Sequence, residues 1–261
     1  MTTTTAGGPR RTVAGGVLRI ELPGAPLDAG LATAISELVP AADDLDAPAV
    51  VLLTTPPDGE FAGLGVEPAG GALAAGLRDG HPGGEVARCV AAVGAFPGVS
   101  VAALSGDARA CGAELALACD LRVVWTGARI GFPHVRLGRM PACGATQRLP
   151  RLIGPGAALR LLLLGDEPKG EEMVALGLAA TAAATPQATV AAAVELAERL
   201  AAQAASALRA CKEAVLEGVD LTLRDGLRLE ADLAVLLQTT HDRAEGLRAF
   251  LEKRPPRFEG R

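Results

Sequence analysis

The chain has 261 residues, 49% hydrophobic and 21% charged, with a net charge of −5 and a pI near 5.3. That length and balance describe a globular domain with a sizeable core, not a disordered or fibrous chain. The acidic balance argues against general affinity for a phosphate backbone, and the 2% aromatic content, with no Tyr, against a base-stacking platform.

In chain order, residues 1–11 are Thr- and Gly-rich without an apolar h-region, and read as a disordered tail and not a secretory leader. Residues 17–22 alternate, are bounded by Gly and Pro and predict a strand, and 31–38 have helical spacing. The run 49–54 (AVVLLT) predicts a strand buried on both faces. Residues 56–84 are Gly- and Pro-rich and read as a long loop with a short helix at 71–77. A helix at 85–96, a buried strand at 99–104, a helix at 112–119 entered through a Gly turn and a strand at 121–125 follow. This alternation implies βαβ units and a mostly parallel sheet.

Beyond Arg148 the pattern is helical: 155–164, 169–176, a helix starting at Thr185-Pro186 and running towards 205, then 206–216, 223–238 and 243–252. The predicted organisation is a tail at 1–11, an α/β core at 12–200 and a helical region at 201–261. The five cysteines (Cys89, Cys111, Cys119, Cys143 and Cys211) have no C-x-x-C or zinc-type spacing, so no metal is expected and a reducing cytoplasm is. The most apolar run, 159–164, is too short for a bilayer.

Three segments carry a family resemblance. The first, Val101-Ala-Ala-Leu-Ser-Gly106-Asp-Ala-Arg-Ala-Cys111-Gly112-Ala-Glu114-Leu-Ala-Leu-Ala-Cys-Asp120, resembles A-x-x-G-x-x-x-G-G-G-x-E-L-A-x-x-C-D. The second, Ile130-Gly131-Phe-Pro133-His134-Val-Arg-Leu137-Gly138-Arg-Met-Pro141-Ala-Cys-Gly144-Ala-Thr146-Gln147-Arg148-Leu149, resembles F-G-x-P-E-x-x-L-G-x-x-P-G-x-G-G-T-Q-R-L. The third, Asp242 to Pro256, resembles D-x-x-E-G-x-x-A-F-x-E-K-R-x-P. The ordered set resembles the crotonase superfamily, the enoyl-CoA hydratase/isomerase family.

That resemblance implies an α/β fold of repeated ββα units with a helical C-terminal trimerisation region, giving a homotrimer or a hexamer of paired trimers. It implies an acyl-CoA substrate, CoA being part of that substrate and no separate cofactor. The shared chemical demand is an enolate-like oxyanion that preorganised donors must meet. The resemblance puts these donors at the backbone N–H groups of Leu64, after Ala62-Gly63, and of Cys111, at the start of the Glu114 helix, where orphan N–H groups favour an anion. Gly112 belongs to the same turn. Lys253 is a candidate for the CoA phosphates, and a cationic helix end complementing the dipole is an equally good reading.

Glu114 aligns with one of the family's two acid/base carboxylates. The second position holds His134, which acts as acid or base near neutral pH but does not copy a carboxylate. The family's Gly-Gly-Gly is Ala110-Cys111-Gly112 here, placing side chains where a backbone approaches the thioester. His81 reads as a solvated loop residue and His241 as structural. Hydration with a Glu114/His134 pair is the leading expectation. Isomerisation, decarboxylation or thioester hydrolysis on the same site is the alternative, and a non-catalytic acyl-CoA-binding protein is a third reading from another class.

Overall fold

The computed structural model describes the backbone of residues 2–4 and 64–65 and the whole of 8–40, 48–56, 59–61 and 84–261. The helix expected at 71–77, His81, Ala62 and Gly63 lie outside the described residues.

A seven-stranded sheet organises the fold, in the order β1-β2-β3-β4-β6-β8-β10. Its strands are β1 (Thr2–Thr4), β2 (Arg10–Ala14), β3 (Val17–Glu21), β4 (Val50–Thr54), β6 (Val99–Leu104), β8 (Leu121–Trp125) and β10 (Thr181–Ala183). The β1–β2 and β2–β3 pairs are antiparallel, and the rest of the sheet is parallel. Residues 10 and 11, expected to be tail, belong to β2. That strand is solvent-exposed throughout and gains order from its ladder to β3, so its sequence carries no burial signal.

The continuous apolar runs of β4 and β6 are explained by burial on two faces. Val51, Leu53, Ala102 and Leu104 face one core with α1 (Ala29–Leu38) and α2 (Gly84–Ala95), whereas Val50, Leu52, Val99, Val101 and Ala103 face a second core. Ala193 and Ala197 of α6 (Pro186–Ala201) close that second core. α1 starts on Asp28, whose carboxylate accepts from the Leu31 N–H at 2.8 Å, and α6 on Thr185, whose hydroxyl accepts from Ala188.

A second, smaller parallel sheet, β5-β7-β9, consists of Leu64–Gly65, Ala108–Ala110 and Ile130–Gly131. Its strands are too short to show a period in the sequence. They matter because their carboxyl ends lead towards the family motifs. β7 runs directly into α3 (Cys111–Ala118), and β9 into a 3-10 turn, Pro133–Leu137.

The C-terminal half is helical, as expected: α4 (Ala145–Leu159, kinked at Gly154 and followed by a π-helical turn to Leu164), α5 (Gly170–Leu176), α6, α7 (Ala205–Gly218), α8 (Leu223–Leu237) and α9 (His241–Glu252). Lys212 of α7 is anchored in the core. Its ammonium donates to the Phe96 and Gly98 carbonyls at 2.7 and 2.9 Å and to Asp120 at 2.8 Å. Asp120, the last residue of the first motif, also accepts from the Ser100 N–H and hydroxyl.

The third motif has a structural function. Asp242 accepts from the Glu259 and Gly260 N–H groups, and Glu245 accepts from Arg254 through both oxygens and from the Arg257 N–H. Together they fold the C-terminal tail back onto α9. Among the described residues no helix is long and apolar enough to cross a membrane.

Candidate active site

Glu114 lies in the first turn of α3 and is completely buried. A buried carboxylate needs compensation. Here the Cys143 and Ala145 N–H groups both donate to Oε1 at 2.9 Å. Those donors flank Gly144, whose φ of 108° opens the turn into α4. Arg148 braces the turn from behind, donating to the Cys143 carbonyl at 2.9 Å. The Cys143 and Ala145 donors and the Arg148 brace were not singled out from the sequence. Their signal was the Cys143-Gly144 stretch of the second motif, read only as a family marker.

His134, in the 3-10 turn after β9, turns its Nε2 to within 3.8 Å of Glu114 Oε2 and is 6% exposed. Its Nδ1 is buried and has no hydrogen-bond partner among the described residues. Burial, helped by the positive field of Arg139, pulls the imidazole pKa below the ordinary 6.5, so the resting side chain is neutral at pH 7. The pair therefore sets a carboxylate that accepts two backbone hydrogen bonds opposite a neutral imidazole.

Cys111 is the first residue of α3, and Gly112 follows it in the same buried turn. Leu64 lies in β5, paired in parallel with Arg109 of β7, one strand away from the start of α3. Cys111, Glu114 and His134 thus follow the carboxyl ends of two strands of one small parallel sheet, and Leu64 lies within its third strand. Ala110, at the N-cap of α3, has φ 49° and ψ −123°, a conformation natural to glycine. The Ala-for-Gly departure is accommodated by backbone strain, not by a different turn.

Lys253 is set apart from this group. It caps the C-terminus of α9 in the left-handed conformation and is exposed, with no hydrogen bond or ion pair to Glu114 or His134 among the described residues. The cleft around α9 and the tail is lined by His241, Arg248, Arg254 and Arg257 and does not include the Glu114–His134 pair. No cysteine spacing in the sequence indicates a metal, yet the fold brings the thiols of Cys111 and Cys143 and the Glu114 carboxylate within 4.8 Å of one another.

A buried carboxylate–imidazole pair beside a helix N-terminus, on this sheet arrangement, forms a candidate acid–base site on an α/β fold of the crotonase type. Along 97% of its length the chain superposes with a TM-score of 0.86, at 29% identity, on 99% of an enoyl-CoA hydratase from Bacillus anthracis. The family model described as enoyl-CoA hydratase/isomerase matches residues 14–261. The chain belongs to that family and is an enzyme of the hydratase/isomerase type. It is 35% identical to the 2,3-dehydroadipyl-CoA hydratase of Escherichia coli over 189 residues, 72% of each chain. It is 36% identical to the crotonyl-CoA hydratase of Syntrophomonas wolfei over 158 residues, and that match spans 60% of either chain.

Proposed function

We propose that the chain hydrates the 2,3-double bond of an enoyl-CoA thioester, with Glu114 as base and His134 as acid. The observation that carries this reading is the facing of Glu114 Oε2 and His134 Nε2 at 3.8 Å, with Oε1 held by two N–H donors. The Glu114 carboxylate takes a proton from water as the water oxygen bonds to Cβ. The π electrons move onto the thioester oxygen, which the Leu64 and Cys111 N–H groups meet. The His134 imidazolium delivers its proton to Cα, and the proton on Glu114 returns to the imidazole, so the net change is the addition of one water.

Ala62, Gly63 and Gly112 contact the substrate around the oxyanion donors in this reading, and Lys253 contacts CoA phosphate. Its location favours an active site of a neighbouring copy over its own. A homotrimer, or two trimers paired, is supported by α7 and α8, which bury no residue while Val215, Leu216, Leu223, Leu227, Val235 and Leu236 stay exposed. The core at 12–200, the helical region at 201–261, a cytoplasmic location and a role in fatty acid metabolism complete the proposal.

The test is the near-UV absorbance of crotonyl-CoA with the purified protein beside Glu114→Gln and His134→Ala. Hydration removes the conjugation, so the absorbance falls, and both variants abolish the fall. An unchanged rate in Glu114→Gln refutes the acid–base assignment. Loss of hydration in His134→Ala with isomerisation spared shifts the reading to isomerase chemistry, for which one base suffices.

A further inference from the structure

We propose that Cys111, Glu114 and Cys143 form a binding site for a thiophilic divalent cation of the zinc class, and that the ion and the reaction compete for Glu114. The Cys111 and Cys143 thiol sulfurs and a Glu114 carboxylate oxygen lie within 4.8 Å of one another, and all three residues are buried. Zinc–sulfur bonds of about 2.3 Å put two sulfurs of a tetrahedral site about 3.8 Å apart, so closing on an ion needs side-chain movement of at most about 1 Å.

The three ligands are held by structure that exists without the ion. Cys111 and Glu114 are three residues apart in the first turn of α3, on one face. Cys143 is tied to them by its own N–H, which donates to Glu114 Oε1 at 2.9 Å. Two thiolates and a carboxylate select a soft ion over magnesium or calcium. Three protein ligands leave a fourth position for water, the pattern of an open zinc site.

The surrounding charges are compatible. His134 faces Glu114 from the 3-10 turn as a neutral imidazole, Arg139 acts on it from beyond, and Arg148 reaches Cys143 and Glu114 from α4, where its charge favours thiolates. Burial pushes Cys89 and Cys119 up to about 12, leaving them protonated in the core. Cys211 is exposed. Ligation releases the two thiol protons to solvent, so affinity rises with pH.

The effect on turnover rests on the hydration reading, but binding does not. The experiment titrates the full chain in a Cys211→Ser background, which removes the exposed thiol, with cobalt(II) as a spectroscopic stand-in for zinc. The expected result is one cobalt per chain with sulfur-to-cobalt charge-transfer absorption, release of about two protons per ion in weakly buffered solution, displacement by zinc, and loss of the band in Cys111→Ser and in Cys143→Ser. The proton count needs no active-site variant, so it decides the matter even if those variants misfold. Absence of the band, its persistence in both variants, or binding without proton release overturns the site. Cobalt bound as expected by a protein that leaves crotonyl-CoA unchanged when metal-free overturns the hydration reading alone.

Discussion

His134 Nε2 faces Glu114 Oε2 at 3.8 Å inside a site where both side chains are buried, and only one of the two is a carboxylate. Two carboxylates at this distance would repel each other and share a proton. A carboxylate and an imidazole have no such conflict, because burial has already made the imidazole neutral at pH 7.

A pH profile follows. In the proposed reaction His134 acts as acid only when protonated, and its pKa lies below 6.5. Hydration kcat/KM is expected to rise as pH falls from 7 towards that pKa, and Arg139→Gln moves the rise to higher pH by removing a positive neighbour. A profile that falls over this range identifies His134 as a base. Stability changes with the opposite sense: a depressed histidine pKa means the unfolded chain binds the extra proton first, so stability declines as pH drops through 6.5 towards the folded value. Glu114→Gln and His134→Ala are each expected to cost roughly 10²- to 10⁴-fold in rate, the range of general acid–base catalysis.

Ala110 should be improved by glycine. Its φ of 49° and ψ of −123° cost an L-residue on the order of 1 kcal/mol or more. Ala110→Gly is expected to raise Tm by roughly 2–4 °C for a domain of this size. A lower Tm in a thermal melt shows that the Ala110 methyl contributes more to packing than the backbone strain costs.

Lys212 links α7 to the core by three strong hydrogen bonds, one of them to Asp120. Lys212→Met strands two carbonyls and a largely buried carboxylate that keeps its Ser100 bonds. A loss of about 2 kcal/mol is expected in urea unfolding, below the value for a fully buried pair because some solvent reaches both groups. A double-mutant cycle with Asp120→Asn separates the pair from the carbonyl contacts, and a coupling near zero shows the ion pair is inert.

Glu245 is held down to about 2 by Arg254 and the Arg257 N–H. A depressed carboxylate stabilises above its ordinary pKa of 4.5, and that contribution fades as pH falls from there towards 2. The protection of the tail amides of Glu259 and Gly260 against exchange, relative to their intrinsic rate at each pH, should fall over that window, and Arg254→Ala should bring the loss to higher pH. Unaltered exchange in Arg254→Ala shows that the Asp242 bonds suffice to hold the tail.

Exposed apolar side chains on α7 and α8 predict self-association. Leu223 is 80% exposed, and Leu223→Glu with Leu236→Glu should convert a trimer to monomer in sedimentation velocity. A monomeric parent chain refutes the oligomer.

The sequence by itself determined the family, the large parallel sheet and the two residues, Glu114 and His134, that the fold brings face to face. Runs such as 99–104 carry their burial in their composition, and the motifs carry Glu114 and His134 by their order along the chain. Other features are absent from any local pattern. β2 is solvated and is ordered by its ladder to β3, and β5, β7 and β9 are two or three residues long, each ordered by a neighbouring strand distant in sequence. The donors to Glu114 and the approach of the Cys143 thiol to Cys111 arise only when the turn at Gly144 packs against the start of α3, and the neutrality of His134 only when the folded chain buries it. Hydrogen bonding, desolvation and ligand geometry depend on distance in space, and only the tertiary structure decides that distance.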